Sequence, residues 1–305
     1  MTVKVKKKSK YGVVFIFMLT TLILLLNGQD VSAAIKDGMQ LCANVIIPSV
    51  FPFLILSDYA VKAGVFRCHG KFTAFMCRVL GISPMLIPAL ILGNICGAPI
   101  GASMCCSKYN SRDVTASECE HTLAIATNPS PAFLITGVGM GMLGSFKMGM
   151  ILFLTILTST LITALIFRKK HEKTSFTPEN NEQKFILSDS IKQGGFTSLG
   201  ICSTISLFSA VIYLVELLFR NATSTAIISS FLEMSNAALK ITSMEVSSFS
   251  FALLGFSLAF SGISVLIQVF SFSTSGISCK RYLAMKLSEG VIAFVIAYTA
   301  YLLLL

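Results

Sequence analysis

Apolar runs of membrane-spanning length follow one another along the chain, separated by short basic or polar clusters. Tyr11 to Leu26 comes first, behind Lys4, Lys6, Lys7, Lys8 and Lys10, a flank that holds the start of the chain in the cytoplasm. Ile35 to Ala63 carries Pro48 and Pro52 near its middle. It predicts a kinked helix, because each proline removes a backbone donor and collides with the carbonyl four residues back. In Phe66 to Ile82, Phe72, Phe75, Met76 and Val79 share one helical face and Arg67, Lys71 and Arg78 another. That pattern fits a helix lying in the membrane interface, or equally an amphipathic connector packed on its neighbours.

Ser83-Pro84 is a helix start, with Ser as cap and Pro at the first helical position. The run it opens has Gly93-Asn94-Ile95-Cys96-Gly97-Ala98-Pro99-Ile100-Gly101-Ala102 at its centre. Small residues there permit a tight reversal, and the basic or polar flanks predict a re-entrant hairpin dipping in from the cytoplasm. Thr115 with Glu118 forms a capping box for the next segment, Ser117 to Leu143, which Asn128-Pro129-Ser130-Pro131 breaks in its middle. Backbone groups freed by prolines survive at membrane depth only where protein or a wet cavity satisfies them, so the break marks a binding site. Met148 to Phe167 returns to the cytoplasm.

The basic and polar stretch from Arg168 to Gln183 is a cytoplasmic linker, and it divides the chain into halves. Ile35-Lys36-Asp37-Gly38 is echoed by Ile191-Lys192-Gln193-Gly194, each opening a long apolar segment, the second running to Phe219. Ile228, Phe231, Leu232 and Leu239 mark an amphipathic stretch in the place of Phe66 to Ile82, and Phe251 to Phe270, centred on Ser261-Gly262-Ile263-Ser264, stands in the place of the first hairpin. Leu283 to Leu304 is the last helix. The expected parts are therefore a basic tail and anchor helix over 1–33, a first repeat over 34–167, a linker over 168–187 and a second repeat over 188–305.

If both Gly-rich runs are re-entrant, the repeats are inverted. Lys36, Lys147, Arg220, Lys240, Lys280, Arg281 and Lys286 then fall outside, and the remainder of the 24 Lys and Arg stay in the cytoplasm. The expected fold is thus an all-α polytopic membrane protein of inverted repeats with two re-entrant hairpins and discontinuous helices. It sits in the cell membrane with its N-terminus cytoplasmic. Val31-Ser32-Ala33 resembles a signal-peptidase site, but a retained anchor is the reading favoured.

Composition agrees: 54% hydrophobic residues and 12% charged residues over 305 positions, with mean hydropathy +0.79, exclude a soluble protein. The net charge of +10 sits in clusters beside apolar runs, where it sets topology and argues against a nucleic-acid partner. The cysteines, among them Cys42, Cys77, Cys96, Cys105, Cys106 and Cys202, show no metal-ligand spacing, and neither a metal nor a cofactor is expected.

Asn94, Gly97, Thr127, Asn128, Ser130, Ser261, Ser264 and Gln268 are the candidate solute-binding residues, neutral hydrogen-bonding groups around the breaks and with no Lys or Arg near them. Helix ends freed at such breaks favour an anionic group by roughly 0.3–2 kcal/mol each, so an anion could be held without lysine. Asp58, Glu216 and Glu289 are costly carboxylates in apolar helices and so candidates for coupling to H+ or Na+, although Asp58 and Glu216 lie close enough to segment ends to snorkel. His121 is expected to be exposed in a first helical turn. An enzyme is not expected: Gly262-Ile263-Ser264-Val265 superficially matches a serine nucleophile in a turn, but no histidine follows His171 to serve as its base. The partners expected are the bilayer, a small solute and a coupling ion, with oligomeric state left open.

Val45-Ile46-Ile47-Pro48-Ser49-Val50-Phe51-Pro52-Phe53-Leu54-Ile55-Leu56-Ser57, the Gly93 to Ala102 stretch, Thr127-Asn128-Pro129 and Gly262-Ile263-Ser264-Val265-Leu266-Ile267-Gln268 together resemble the nucleoside-recognition, or Gate, domain proteins. Among these the chain looks most like the YlbJ-like sporulation integral membrane proteins, from about Ile35 to its end. The resemblance implies an architecture similar to concentrative nucleoside transporters, with a central substrate site. For the sporulation branch it implies placement in the mother-cell membrane and movement of dipicolinic acid toward the forespore. A non-transporting scaffold or assembly protein is the alternative.

Overall fold

Helix α1 (Gly28–Leu41) passes through a π-helical turn, Cys42–Ile46, into α2 (Ile47–Lys62). The widened turn lies just ahead of Pro48 and absorbs the collision that proline imposes, so Gly28–Ala60 remains one membrane-length span with a bulge where a kink was expected. This is a computed structural model that describes residues 18, 21–63, 70–168, 187–219, 221–272 and 276–305, and every element among them is helical. The basic tail, most of Tyr11 to Leu26, Arg67, Arg220 and most of the linker lie outside the described residues.

Amphipathic α3 (Lys71–Leu80) ends at Gly81, whose φ of 68° supplies the left-handed turn. The chain then bends by 103° through a short 3-10 turn, Pro84–Leu86, into α4 (Ile87–Cys96). At Gly97, with φ 105°, it reverses into α5 (Ala98–Asn110). The reversal is a true hairpin: a Cβ built on Gly93 would stand 2.8 Å from the Cα of Gly101, although a straight helix would hold these residues far apart. Helix α6 (Ala116–Ile125) starts on the expected Thr115/Glu118 capping box, and residues 127–130 are non-helical. The chain resumes as a π-helix, Phe133–Met142, before α7 (Phe146–Ile166).

The second half opens with α8 (Leu187–Leu218), and then departs from the expected order. Helices α9 (Ala222–Leu232) and α10 (Met234–Thr242) meet at Glu233, whose extended backbone (φ −154°, ψ 123°) reverses the chain. Lys240 near the end of α10 pairs with Glu216 near the end of α8, so the chain returns to the place it left and α9/α10 is the second hairpin. The Phe251 to Phe270 run is not re-entrant. Helices α11 (Ser248–Phe260) and α12 (Gly262–Ser271) are interrupted at Ser261-Gly262, where φ is 69° and 83°, and together form one 24-residue span. The pair Ser261 and Gly262, both left-handed, leaves the two helices within one span bent by no more than 40°, whereas the extended Glu233, itself the N-cap of α10, turns the chain back. Helix α13 (Cys279–Leu304) completes the chain.

The span α11–α12 orients the rest. Its far end leads to Gly276, against the hydroxyl of Tyr109 at the base of the first hairpin, while its start lies near the base of the second. At the second-hairpin end, Tyr301 Oη donates to the carbonyl of Val246 (3.1 Å) and Lys147 Nζ to that of Leu304 (2.6 Å). At the first-hairpin end, the amide of Ser278 donates to Glu120 (2.6 Å) and Arg281 donates to Ser117 Oγ (2.8 Å). The hairpins therefore enter from opposite ends and meet tip to tip. Three placements from the sequence are corrected: Lys280 and Arg281 lie at the opposite end from Lys240, and Lys286 is buried in the interior, only 1% exposed. The first two shifts follow from α11–α12 running straight through, and the third from the contacts of Lys286 with Asn128 and Glu289.

Among the described residues five helices are long and apolar enough to cross a membrane, or up to six if the bent α3/α4 pair is one span. Their outward faces expose Leu154, Leu157, Leu161, Phe196, Leu199, Leu207, Val291 and Val295, while α7 turns Thr155, Ser159, Thr160 and Thr163 inward. Apolar outside and small-polar inside is the inverse of a soluble helix and suits lipid as the solvent. The chain is a polytopic, multi-pass membrane protein.

Candidate functional site

Each hairpin tip is pressed against one helix break, and glycine makes the approach possible. A Cβ on Gly93 or Gly101 would overlap the carbonyl oxygen of Ala126, where the first break begins, and one on Gly262 would stand 2.8 Å from the carbonyl oxygen of Leu232, at the second hairpin's tip. Between the tips lies a cavity of about 50 Å³, with room for a few waters. Gly97 and Pro99 line it from the first hairpin, Glu233, Met234 and Ser235 from the second, Pro129, Ser130 and Phe133 from the first break, and Val265 and Gln268 from α12. Ile46, Val50, Ile201 and Ile205 close it from α2's approach and from α8.

Glu233 is the one carboxylate in this lining and is 1% exposed. It accepts from the amides of Ser235 (2.9 Å) and Asn236 (2.7 Å) and from Asn236 Nδ2 (2.9 Å), capping α10. Asn236 in turn accepts from Ser209 Oγ at 3.0 Å, which ties the tip to α8. Among the neutral groups, Ser130 Oγ accepts from the amide of Phe133 (3.2 Å).

Behind the cavity, the first break is held by a buried polar cluster. Asn128 Nδ2 donates to Asn94 Oδ1 (2.9 Å) on α4 and to Thr160 Oγ1 (2.8 Å) on α7. Lys286 Nζ donates to Asn128 Oδ1 (2.7 Å) and to Glu289 Oε2 (2.9 Å), and Thr160 Oγ1 donates to Glu289 Oε1 (2.6 Å). Asn94 Nδ2 also reaches the carbonyl of Ile125 (2.8 Å), one of the carbonyls the break leaves without a helical donor. Thr127 Oγ1 shares a hydrogen bond with Tyr282 Oη (3.0 Å). The expectation of no Lys or Arg near these groups was therefore wrong: an ammonium stands in direct contact with Asn128.

Of the residues expected at the site, Gly97, Ser130 and Gln268 line the cavity, and Asn94, Thr127 and Asn128 form the wall behind it. Ser261 is the left-handed break residue, bonded to its own helix at Leu258 (3.2 Å), and Ser264 is buried with no hydrogen-bond partner for its Oγ. The three candidate coupling carboxylates are not brought together. Asp58 lies in the last part of α2, Glu216 pairs with Lys240, and only Glu289 joins the cluster. His121 is buried against the carbonyl of Leu80 (2.9 Å), correcting its expected exposure. Glu233 and Lys286 were missed. The available signals were a lone acid between the small-residue helices 222–232 and 234–242, and a Lys and Glu three positions apart in an otherwise apolar helix.

The geometry defines a class first: a multi-pass helical membrane protein with opposed hairpins and broken helices around a small, mostly apolar cavity. In sequence the chain is 25% identical over 329 aligned residues to the sporulation integral membrane protein YlbJ of Bacillus subtilis (strain 168), covering 92% of this chain and 79% of that protein. This similarity supports kinship with the YlbJ-like sporulation integral membrane proteins. No family model and no solved structure matches the chain.

Proposed function

We propose that the protein is a membrane transporter or facilitator that passes a small polar solute through the cavity between its hairpin tips. The observation that carries the reading is the meeting of Gly97 and Glu233, from hairpins entering at opposite ends, on one cavity flanked by both helix breaks. Each half runs as long helix, hairpin, broken helix, return helix, and each part of one half points opposite to its counterpart in the other. This supports a pair of inverted repeats, the arrangement that the motif resemblance to Gate-domain proteins and concentrative nucleoside transporters implies. A site at the interface of two such repeats can face either end by rocking one hairpin against the other.

Glu233 bears on the solute class. A carboxylate in the lining favours hydroxyl and amino donors, so a nucleoside-like solute suits the cavity better than a free anion. A dicarboxylate such as dipicolinic acid, in a sporulation role, keeps the support of the similarity to a sporulation membrane protein and of the amide at the start of α5. The small cavity favours the competing reading of a non-transporting scaffold needed for spore maturation.

The test is uptake of labelled nucleosides and of dipicolinate into proteoliposomes holding the parent, Glu233→Gln or Gln268→Ala. Nucleoside uptake reduced at least about tenfold in both variants is expected, from the loss of about 1.4 kcal/mol or more of solute contact. Uptake of dipicolinate alone would replace the nucleoside reading. Flux of neither class would leave the scaffold.

A further inference from the structure

We propose that Lys286 is a tethered cation: its ammonium fills a position where the first helix break would otherwise take a dissolved monovalent cation, so that the break is held without sodium. Lys286 is 1% exposed and Glu289 is fully buried, both on α13 among helices that cross the membrane. Neither charge survives there alone, because a buried ion is tolerated only when paired and hydrogen-bonded. The ammonium sits between Asn128 Oδ1 (2.7 Å) and Glu289 Oε2 (2.9 Å). Carboxylate and amide oxygens are the hard donors that oxygen-seeking cations prefer, and unwound segments of broken membrane helices are where such ions collect.

The remaining contacts make the position a junction. Glu289 Oε1 is engaged by Thr160 of α7, and Asn128 Nδ2 reaches both Thr160 and Asn94 of the first hairpin. The ammonium joins an acceptor of the break to one of α13, and through Asn128 and Glu289 the cluster extends to α4 and α7. The consequence for solute movement rests on the transporter reading. Since the lysine cannot leave, occupation of this position cannot be driven by a sodium gradient.

Thermal unfolding of the purified protein tests the idea without a solute. In N-methylglucamine chloride, the parent's midpoint should stay the same when sodium chloride replaces it at equal ionic strength; a rise with sodium would overturn the proposal outright. Lys286→Ala should lower the midpoint by roughly 5–10 °C, as expected for stranding a buried carboxylate. Sodium or methylammonium should restore at least half of that loss, and N-methylglucamine should restore none. Lys286→Gln, which keeps a donor for Asn128, provides the same readout if the alanine variant does not fold. Lys286→Ala/Glu289→Gln should fold and show no cation response. Variants indifferent to small cations, or a double variant that still responds to sodium, would each overturn the assignment. Sodium-dependent uptake by the parent would overturn the tethered cation and leave the transporter standing, whereas sodium-insensitive melting without any flux would do the reverse.

Discussion

Gly93 lies so close to the carbonyl of Ala126 that a Cβ at position 93 would overlap the oxygen. The contact clamps the first hairpin to the first helix break, and the neighbour is backbone, which cannot swing away. Gly93→Ala should therefore destabilise the protein by about 1–3 kcal/mol or more, as overpacking of a tight site does. Gly101→Ala should do the same, since it meets the same oxygen, whereas Gly195→Ala, with nothing within 4 Å of its Cβ, should change the unfolding midpoint little. Equal midpoints for all three in detergent would contradict the clamp.

Asn128 is the hub of the buried cluster, giving to Asn94 and Thr160 and receiving from Lys286. Its loss to alanine leaves a buried ammonium with one acceptor fewer and the Asn94 Oδ1 without its donor. Asn128→Ala should cost about 1–3 kcal/mol per stranded group, with the upper end set by the charge. Thr158→Val, on the exposed face of the same α7, should cost less than about 0.5 kcal/mol. A chemical-denaturation series comparing the two separates them.

What could be read from the sequence follows the backbone's own markers. The break at residues 127–130 and the reversal at Gly97 were legible because proline and glycine announce lost donors and left-handed turns directly. The second hairpin was misread because its turn contains neither. It is made by an extended Glu233 whose side chain caps α10, and a glutamate carries no general turn preference. Ser261-Gly262 matches the first hairpin's turn in composition, yet its two left-handed residues leave α11 and α12 in one continuous span. Lys286 was placed in solvent by counting lysines near a helix end. The Glu289 three positions on hints at an inward pair, and the contact with Asn128 fixes it.

The opposed hairpins make a topological prediction. Arg112 follows the first hairpin and Ser243 the second, and both are exposed. Cysteine placed singly at these positions should react with an impermeant maleimide from opposite faces of a sealed vesicle. Cysteine at Lys280 should label from the same face as position 112, because Arg281 next to it is bonded to Ser117. Lys280 labelling with position 243 instead would restore a re-entrant α11–α12 and undo the corrected fold.

Glu233 has two separable duties under the transporter reading, capping α10 and presenting a carboxylate to the cavity. Aspartate is among the best N-cap residues, so Glu233→Asp should keep the cap within a few tenths of a kcal/mol while drawing the carboxylate back by one methylene. Glu233→Ala loses both, with a stability cost of about 0.5–2 kcal/mol from the cap alone. If the carboxylate meets the solute, uptake by Glu233→Asp should fall while its unfolding midpoint stays near the parent's, and the fall should lie in KM before kcat because a binding contact, not the conformational cycle, has been changed. If Glu233 serves only the cap, uptake should follow stability across the pair, with Glu233→Asp near the parent and only Glu233→Ala impaired. Parallel melting and uptake curves for the two variants decide between these outcomes.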